Sequence, residues 1–165
     1  MKRFGNLYFT KDGGVYLKNG EPYPFDERRY RKDGTFEGYR NVLVHGKKML
    51  VHRIIAKLFV PNPRPDEFKI VDHISRVRSD NSSANLRWVN RFLNAQNVDK
   101  VGDTVFDHDV KMWHSSITVG DQEYIVGWFR TFLEGHLATR QARITLFDKL
   151  YKDELAKTSH RDILA

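Results

Sequence analysis

Four polar residues near the middle of the chain have the types that hydrolysis of a phosphate ester requires. Asp72 and His73 stand side by side, Asn85 follows Asp72 by thirteen residues, and Asn94 comes nine further on. The reaction needs a base to take a proton from water and a cation to offset charge on the phosphate and the leaving oxygen. It also needs a group that holds the base in its working tautomer. An imidazole with the ordinary pKa of about 6.5 is mostly neutral at neutral pH, which makes His73 the candidate base. The carboxylate of Asp72 and the amide oxygen of Asn94 form a hard, under-filled ligand pair suited to one Mg²⁺ or Mn²⁺, with room for water and substrate oxygens. Asn85 is placed to hydrogen-bond either the imidazole or the intervening loop backbone. Arg76, Arg78 and Arg87 lie on or beside the same loop, where forked guanidinium groups suit phosphates.

These residues must be brought together by a strand, loop, strand and helix. An apolar run at Phe68–Val71 predicts a strand leading into Asp72-His73, followed by a polar loop from Ser75 to Ser83. A second strand is expected over Asn85–Val89, then a helix from about Asn90 to Val98. Before this unit, short apolar pieces alternate with turn formers such as Lys11-Asp-Gly-Gly and Lys18-Asn-Gly, which is hairpin punctuation. Two strands, Tyr39–Val44 and Lys48–Val51, are expected around a His45-Gly46-Lys47 turn. Ile54, Ile55, Leu58 and Phe59 sit at helical spacing until Pro61, Pro63 and Pro65 stop the helix. After Gly102 three strands are expected (Thr104–Phe106, Met112–Val119, Gln122–Trp128), then a helix from about Thr131 to Leu146 and a fraying polar tail beyond Lys152.

An Asp-His pair before a polar loop is ordinarily a turn with a surface histidine; the two asparagines at their steps raise it to a site. His52 reads as a hydrogen-bonded packing residue at a helix start, Trp88 as core, and His108, His136 and His160 as structural or solvent-facing.

The chain has 165 residues, a net charge of +7 and no cysteine. Disulfides, thiolate metal sites and thiol nucleophiles are therefore excluded. No run of apolar residues is long enough to span a bilayer, and none follows the charged start as a signal sequence would. Residues 1–60 carry thirteen Lys and Arg against six Asp and Glu, whereas residues 101–165 carry eight against ten. A polyanion is the leading partner for so uneven a distribution, with Lys47 and Lys48 among its candidate contacts.

The stretches Val71-Asp-His-Ile, Asp80-Asn-Ser-Ser-Ala-Asn-Leu-Arg-Trp-Val and Asn94-Ala-Gln-Asn resemble the HNH motif of phage and intron-encoded homing endonucleases. Val51-His-Arg-Ile-Ile-Ala-Lys-Leu-Phe-Val-Pro resembles the stretch that precedes the motif, so the likeness covers roughly residues 40–98. In that family the first His activates water, the preceding Asp and the helix Asn bind the metal, and the middle Asn orients the His. The resemblance thus implies His73 and Asn85 as catalytic, Asp72 and Asn94 as metal ligands, and double-stranded DNA as substrate. The last third, with Trp113-His-Ser-Ser-Ile-Thr-Val-Gly and Tyr124-Ile-Val-Gly-Trp-Phe-Arg-Thr, resembles the ethylene-response-factor type of DNA-binding module, which adds Trp113 as a contact.

The expected fold class is α+β. Residues 1–60 form a basic antiparallel arm with a short helix, residues 61–100 a ββα-metal nuclease unit, residues 101–150 a three-stranded sheet plus helix, and residues 151–165 a polar tail. The expected protein is a metal-dependent DNA endonuclease that nicks one strand per monomer, with a dimer left open. It would be phage-encoded and act in the cytoplasm of a bacterial host, without a membrane partner. A DNA-binding regulator and a structure-specific repair nuclease are the alternatives.

Overall fold

A computed structural model describes residues 1–25, 38–97 and 103–157. They divide into two compact units, Met1–Arg91 and Phe92–Ala165. The expected end of the second helix at Val98 and the last eight residues of the tail lie outside the described residues.

In the first unit, β1 (Lys2–Phe4), β2 (Leu7–Phe9) and β3 (Val15–Tyr16) make a small antiparallel sheet in that order. A separate hairpin pairs β4 (Asn41–Val44) with β5 (Lys47–Leu50). Its two-residue turn, His45-Gly46, has positive φ at both positions (48° and 76°), the geometry that matches strand twist in a tight hairpin. The chain then enters α1 (Val51–Phe59) directly, and Val60 with an extended φ of −108° ends it just before Pro61. Ile54 and Ile55 of the expected helical set are buried on one face of α1 and Leu58 and Phe59 are half-buried, while Val51, expected to end the preceding strand, instead begins the helix and is buried with them. Next come β6 (Ile70–His73), a single 3₁₀ turn at Ser83–Asn85, and β7 (Leu86–Val89), which pairs antiparallel with β6.

None of these sheets can hold a core alone, since two- and three-stranded ribbons of this length are marginal in water. One core serves them all: Leu7, Phe9 and Val15 from the first sheet, Val42 and Val44 from the hairpin, Val51, Ile54, Ile55 and Ala56 from α1, and Val71 and Leu86 from the last ribbon. Trp88 packs against it and donates its indole N–H to Val60 O at 3.0 Å. Fully burying a side chain of this class contributes about 1.5–3 kcal/mol, so the cluster binds the hairpins to the helix. The division expected after residue 60 is therefore not a boundary between compact bodies. The proline-rich stretch links two parts of one core.

The second unit holds most of α2 (Arg91–Gln96), then β8 (Thr104–Asp107), β9 (Met112–Val119), β10 (Gln122–Phe129) and α3 (Phe132–Ala156). The three strands form an antiparallel sheet with β9 central, and α3 lies across all three. Thr131 caps α3: its hydroxyl accepts from the Glu134 N–H at 3.2 Å while Glu134 accepts from the Thr131 N–H at 3.1 Å. Gly135 lets helix and sheet approach closely, because a Cβ there would stand 2.6 Å from Ser115 Oγ and 2.8 Å from Thr104 Cγ2. An ion pair between buried Arg143 and half-buried Asp103 ties the helix to the start of β8. α3 continues ten residues past the expected end at Leu146, so the segment read as tail is helical as far as Ala156. Residues 147–156 contain neither Gly nor Pro, and nothing in them stops a helix.

Candidate active site

β6 carries Asp72 and His73 within the strand rather than beyond it. Their cross-strand partners on β7 are Arg87 and Leu86. Both side chains are buried, with 8% of Asp72 and 4% of His73 exposed. The Arg87 fork closes on Asp72: Nε and Nη2 each lie 2.9 Å from Oδ2. A directly opposite charged pair with both donors on one oxygen fixes the plane of the carboxylate at the end of the ribbon. Arg87 was expected to grip phosphate, but this fork is committed to Asp72.

The polar loop between the strands is organised by two asparagines with different tasks. Asn85 Oδ1 accepts the Ser75 N–H at 2.8 Å, and its Nδ2 donates to Asp80 O at 2.8 Å, so Asn85 pins both ends of the loop. Of the two placements open to Asn85 in the sequence, the structure has the one on backbone. The bond to the imidazole comes from Asn81, whose Oδ1 lies 3.1 Å from His73 Nε2. Asn81 is itself buried, and its Nδ2 donates to Ser79 O at 3.4 Å, which turns the amide oxygen toward the ring. With Nε2 donating to that oxygen, Nδ1 carries the lone pair in the neutral ring.

Sequence reasoning treated Asn81 as part of a spacer. Its signal was the position eight residues after His73, in a loop too short to lead far from the strand. The loop is also braced from the N-terminal sheet: Ser83 N–H donates to Lys11 O at 2.6 Å, and Gly13, at φ +95°, packs against the Asn81–Ser82 peptide.

Behind His73 stands His52 of α1, also 4% exposed, with ring centroids 5.0 Å apart and planes tilted by 59°. Its Nδ1 is buried with no hydrogen-bond partner among the described residues, so that nitrogen lacks the bond expected of a hydrogen-bonded packing residue. Burial first, then the nearby His73 and Arg53, push its pKa down to about 4, and His52 is neutral at neutral pH. Tyr39 covers both rings, 4.9 Å from His52 and 5.9 Å from His73. The guanidinium of Arg78 lies over Tyr39 at 5.1 Å.

The other expected site residues fall as follows. Lys47 and Lys48 are exposed at the start of β5, while Arg76 is half-buried with φ 66° and its N–H on His73 O at 2.9 Å. Asn94 is an exposed residue of α2, beyond the division at Arg91. Trp113 does not lie on the open face of its sheet: its ring packs edge-on against Phe132 of α3 and against Phe106, each at 5.2 Å. Trp128, 44% exposed and 4.7 Å from His114, is the tryptophan on that face.

Among the described residues no three His, Cys, Asp or Glu side chains gather into a metal cluster. The Asp72 carboxylate offers oxygen donors, which suit a hard divalent cation whose shell is completed largely by phosphate and water.

Residues 49–96 match the family model described as HNH endonuclease. The segment similar to that domain contains His52, Asp72, His73, Asn81, Asn85 and Asn94. The chain's relatives include DNA endonuclease I-HmuI of Bacillus phage SP01, 31% identical over 56% of this chain and 51% of that protein. The uncharacterized HNH endonuclease L247 of Acanthamoeba polyphaga mimivirus is 36% identical over 32% of this chain and 13% of its own length. A solved structure titled DNA binding and cleavage by the HNH homing endonuclease I-HmuI is similar at 30% identity, with a TM-score of 0.42 over 56% of this chain and 51% of that one. The chain spans about half the length of I-HmuI and less of L247. Among the described residues no helix is long and apolar enough to cross a membrane.

Proposed function

We propose that this chain is a metal-dependent DNA endonuclease of the homing type that hydrolyses phosphodiester bonds in double-stranded DNA and nicks one strand per chain. The observation that carries the reading is the ring of His73: buried beside Asp72, held at Nε2 by Asn81, and lying in the segment that matches the HNH model. In this tautomer Nδ1 takes the proton from the attacking water. Attack at phosphorus expels the 3′ oxygen, leaving a 5′-phosphate and a 3′-hydroxyl. Asp72, its plane fixed by Arg87, and Asn94 would hold one Mg²⁺ or Mn²⁺; the part of Asn94 rests on its step in the motif. When bound, the cation neutralises charge on the phosphate and on the departing oxygen.

Asn85 keeps the loop folded so that Asn81 meets the base. Lys47, Lys48, Arg76 and Arg78 supply the phosphate contacts that bring DNA to the site. The phage relative supports a phage-encoded protein acting inside a bacterial host. One HNH domain per chain is the reason to expect nicks, since a double-strand cut needs two chains or two encounters. The test is incubation with supercoiled DNA, including the genome that encodes the protein, with Mg²⁺, with Mn²⁺ and with EDTA. Open circles formed only with metal are the expected product. Cutting in EDTA would refute the metal requirement, and linear DNA appearing without prior open circles would refute nicking.

A further inference from the structure

Arg76, Arg78 and Arg87 lie on the loop and strand next to His73, and Arg78 is the exposed one of the three. Arg87 is closed on Asp72, and Arg76 is half-buried in a left-handed backbone turn. Arg78 is exposed, has no acidic partner among the described residues, and rests on the face of Tyr39 at 5.1 Å. Tyr39 is 38% exposed and braced from behind by His52 and His73, so its ring cannot swing away without leaving those contacts. A long cationic side chain ordinarily loses rotamer entropy when it is fixed for binding, and an aromatic platform lowers that cost.

We propose that Tyr39 is a positioning residue that holds the Arg78 guanidinium beside His73 as a receptor for a backbone phosphate of the DNA. This rests on the reading of the chain as a DNA endonuclease and assigns a substrate contact within it. Tyr39 lies outside the segment that the family model covers, so the receptor is built partly by the hairpin region upstream. The guanidinium donates to phosphate oxygens in its plane while its face stays on the tyrosine, and the two contacts do not compete.

The test compares wild type, Tyr39→Leu, Arg78→Ala and the double variant for binding to a short random-sequence duplex in EDTA across a salt series, and for nicking with Mg²⁺. Arg78→Ala should flatten the salt slope by about one phosphate contact. Tyr39→Leu should weaken binding roughly two- to fivefold, the worth of an exposed cation–π contact. The double variant should bind no more weakly than Arg78→Ala alone, because the tyrosine acts through the arginine. Tyr39→Phe, which keeps the ring face, should recover most of the lost affinity, and this recovery separates positioning from simple filling of space. Independent losses that add in the double variant would overturn the proposal, as would Tyr39→Leu protein with unchanged affinity and slope. Because binding is read in EDTA, protein that binds by this pattern and never nicks would refute the nuclease reading while leaving the receptor standing. Wild-type protein that binds no duplex would overturn both.

Discussion

Replacing His52 with leucine should flatten the acid side of the stability profile. His52 is almost wholly buried and its pKa is pushed down to about 4, whereas in the unfolded chain it returns to the ordinary value near 6.5. Between those values the unfolded chain binds a proton that the folded chain refuses, so stability falls as pH falls. The contribution is fully present above the unfolded value and is lost progressively down to the folded one. On going from about pH 7 to about pH 4.5, that single group removes roughly 2–2.5 kcal/mol from the wild-type protein. Paired carboxylates add their own acid lability, but they do so in both proteins, and the difference in slope isolates His52. The assay is urea unfolding at the two pH values, with the first unit followed through Trp88 in a Trp113→Phe, Trp128→Phe background. The packing of leucine at neutral pH shifts both pH points alike and leaves the slope untouched; equal slopes for the two proteins would contradict the buried neutral imidazole.

The two loop asparagines should separate by phenotype. Asn81→Ala frees the His73 ring and should lower kcat by about 10- to 100-fold, as loss of a group that orients a base does, with little change in DNA affinity. Asn85→Ala removes both loop bonds and should cost about 1–3 kcal/mol of stability, read by urea unfolding; an Asn85→Ala protein as stable as wild type but inactive would return the orienting role to Asn85. Gly13→Ala combines a φ of +95° with a Cβ only 3.1 Å from the Asn81 carbonyl carbon. It should slow nicking although the substitution is sixty residues from His73 in sequence, and chemical-shift changes should reach Asn81 and His73 in an NMR comparison.

Much of this was legible in the sequence because it depends on local periodicity and punctuation. α1 was readable from Ile54, Ile55 and Leu58 and from the prolines that follow, and the strands of the second unit from their lengths and turns. What was not legible depends on contacts between segments. β6 extends through His73 because Arg87 and Leu86 stand opposite to pair with it, which no pattern within residues 68–73 announces. Asn81 reaches the imidazole across a loop without periodicity, so spacing alone favoured Asn85. The expected boundary after residue 60 followed composition, but Leu7 and Phe9 have no core of their own and must share that of α1. Trp113 and Trp128 look equivalent in sequence; the pairing of β9 with β10 and the position of Phe132 decide which one the helix covers.

The most direct test of the central claim measures cutting and binding on the same DNA with wild-type and His73→Ala protein. Mg²⁺ is supplied for cutting and EDTA for binding. The account predicts that His73→Ala binds with near wild-type affinity and makes no nicks, because the ring supplies a proton acceptor while the cations that hold the phosphates remain. His73→Ala protein that still nicks in Mg²⁺ would contradict the assignment of the base.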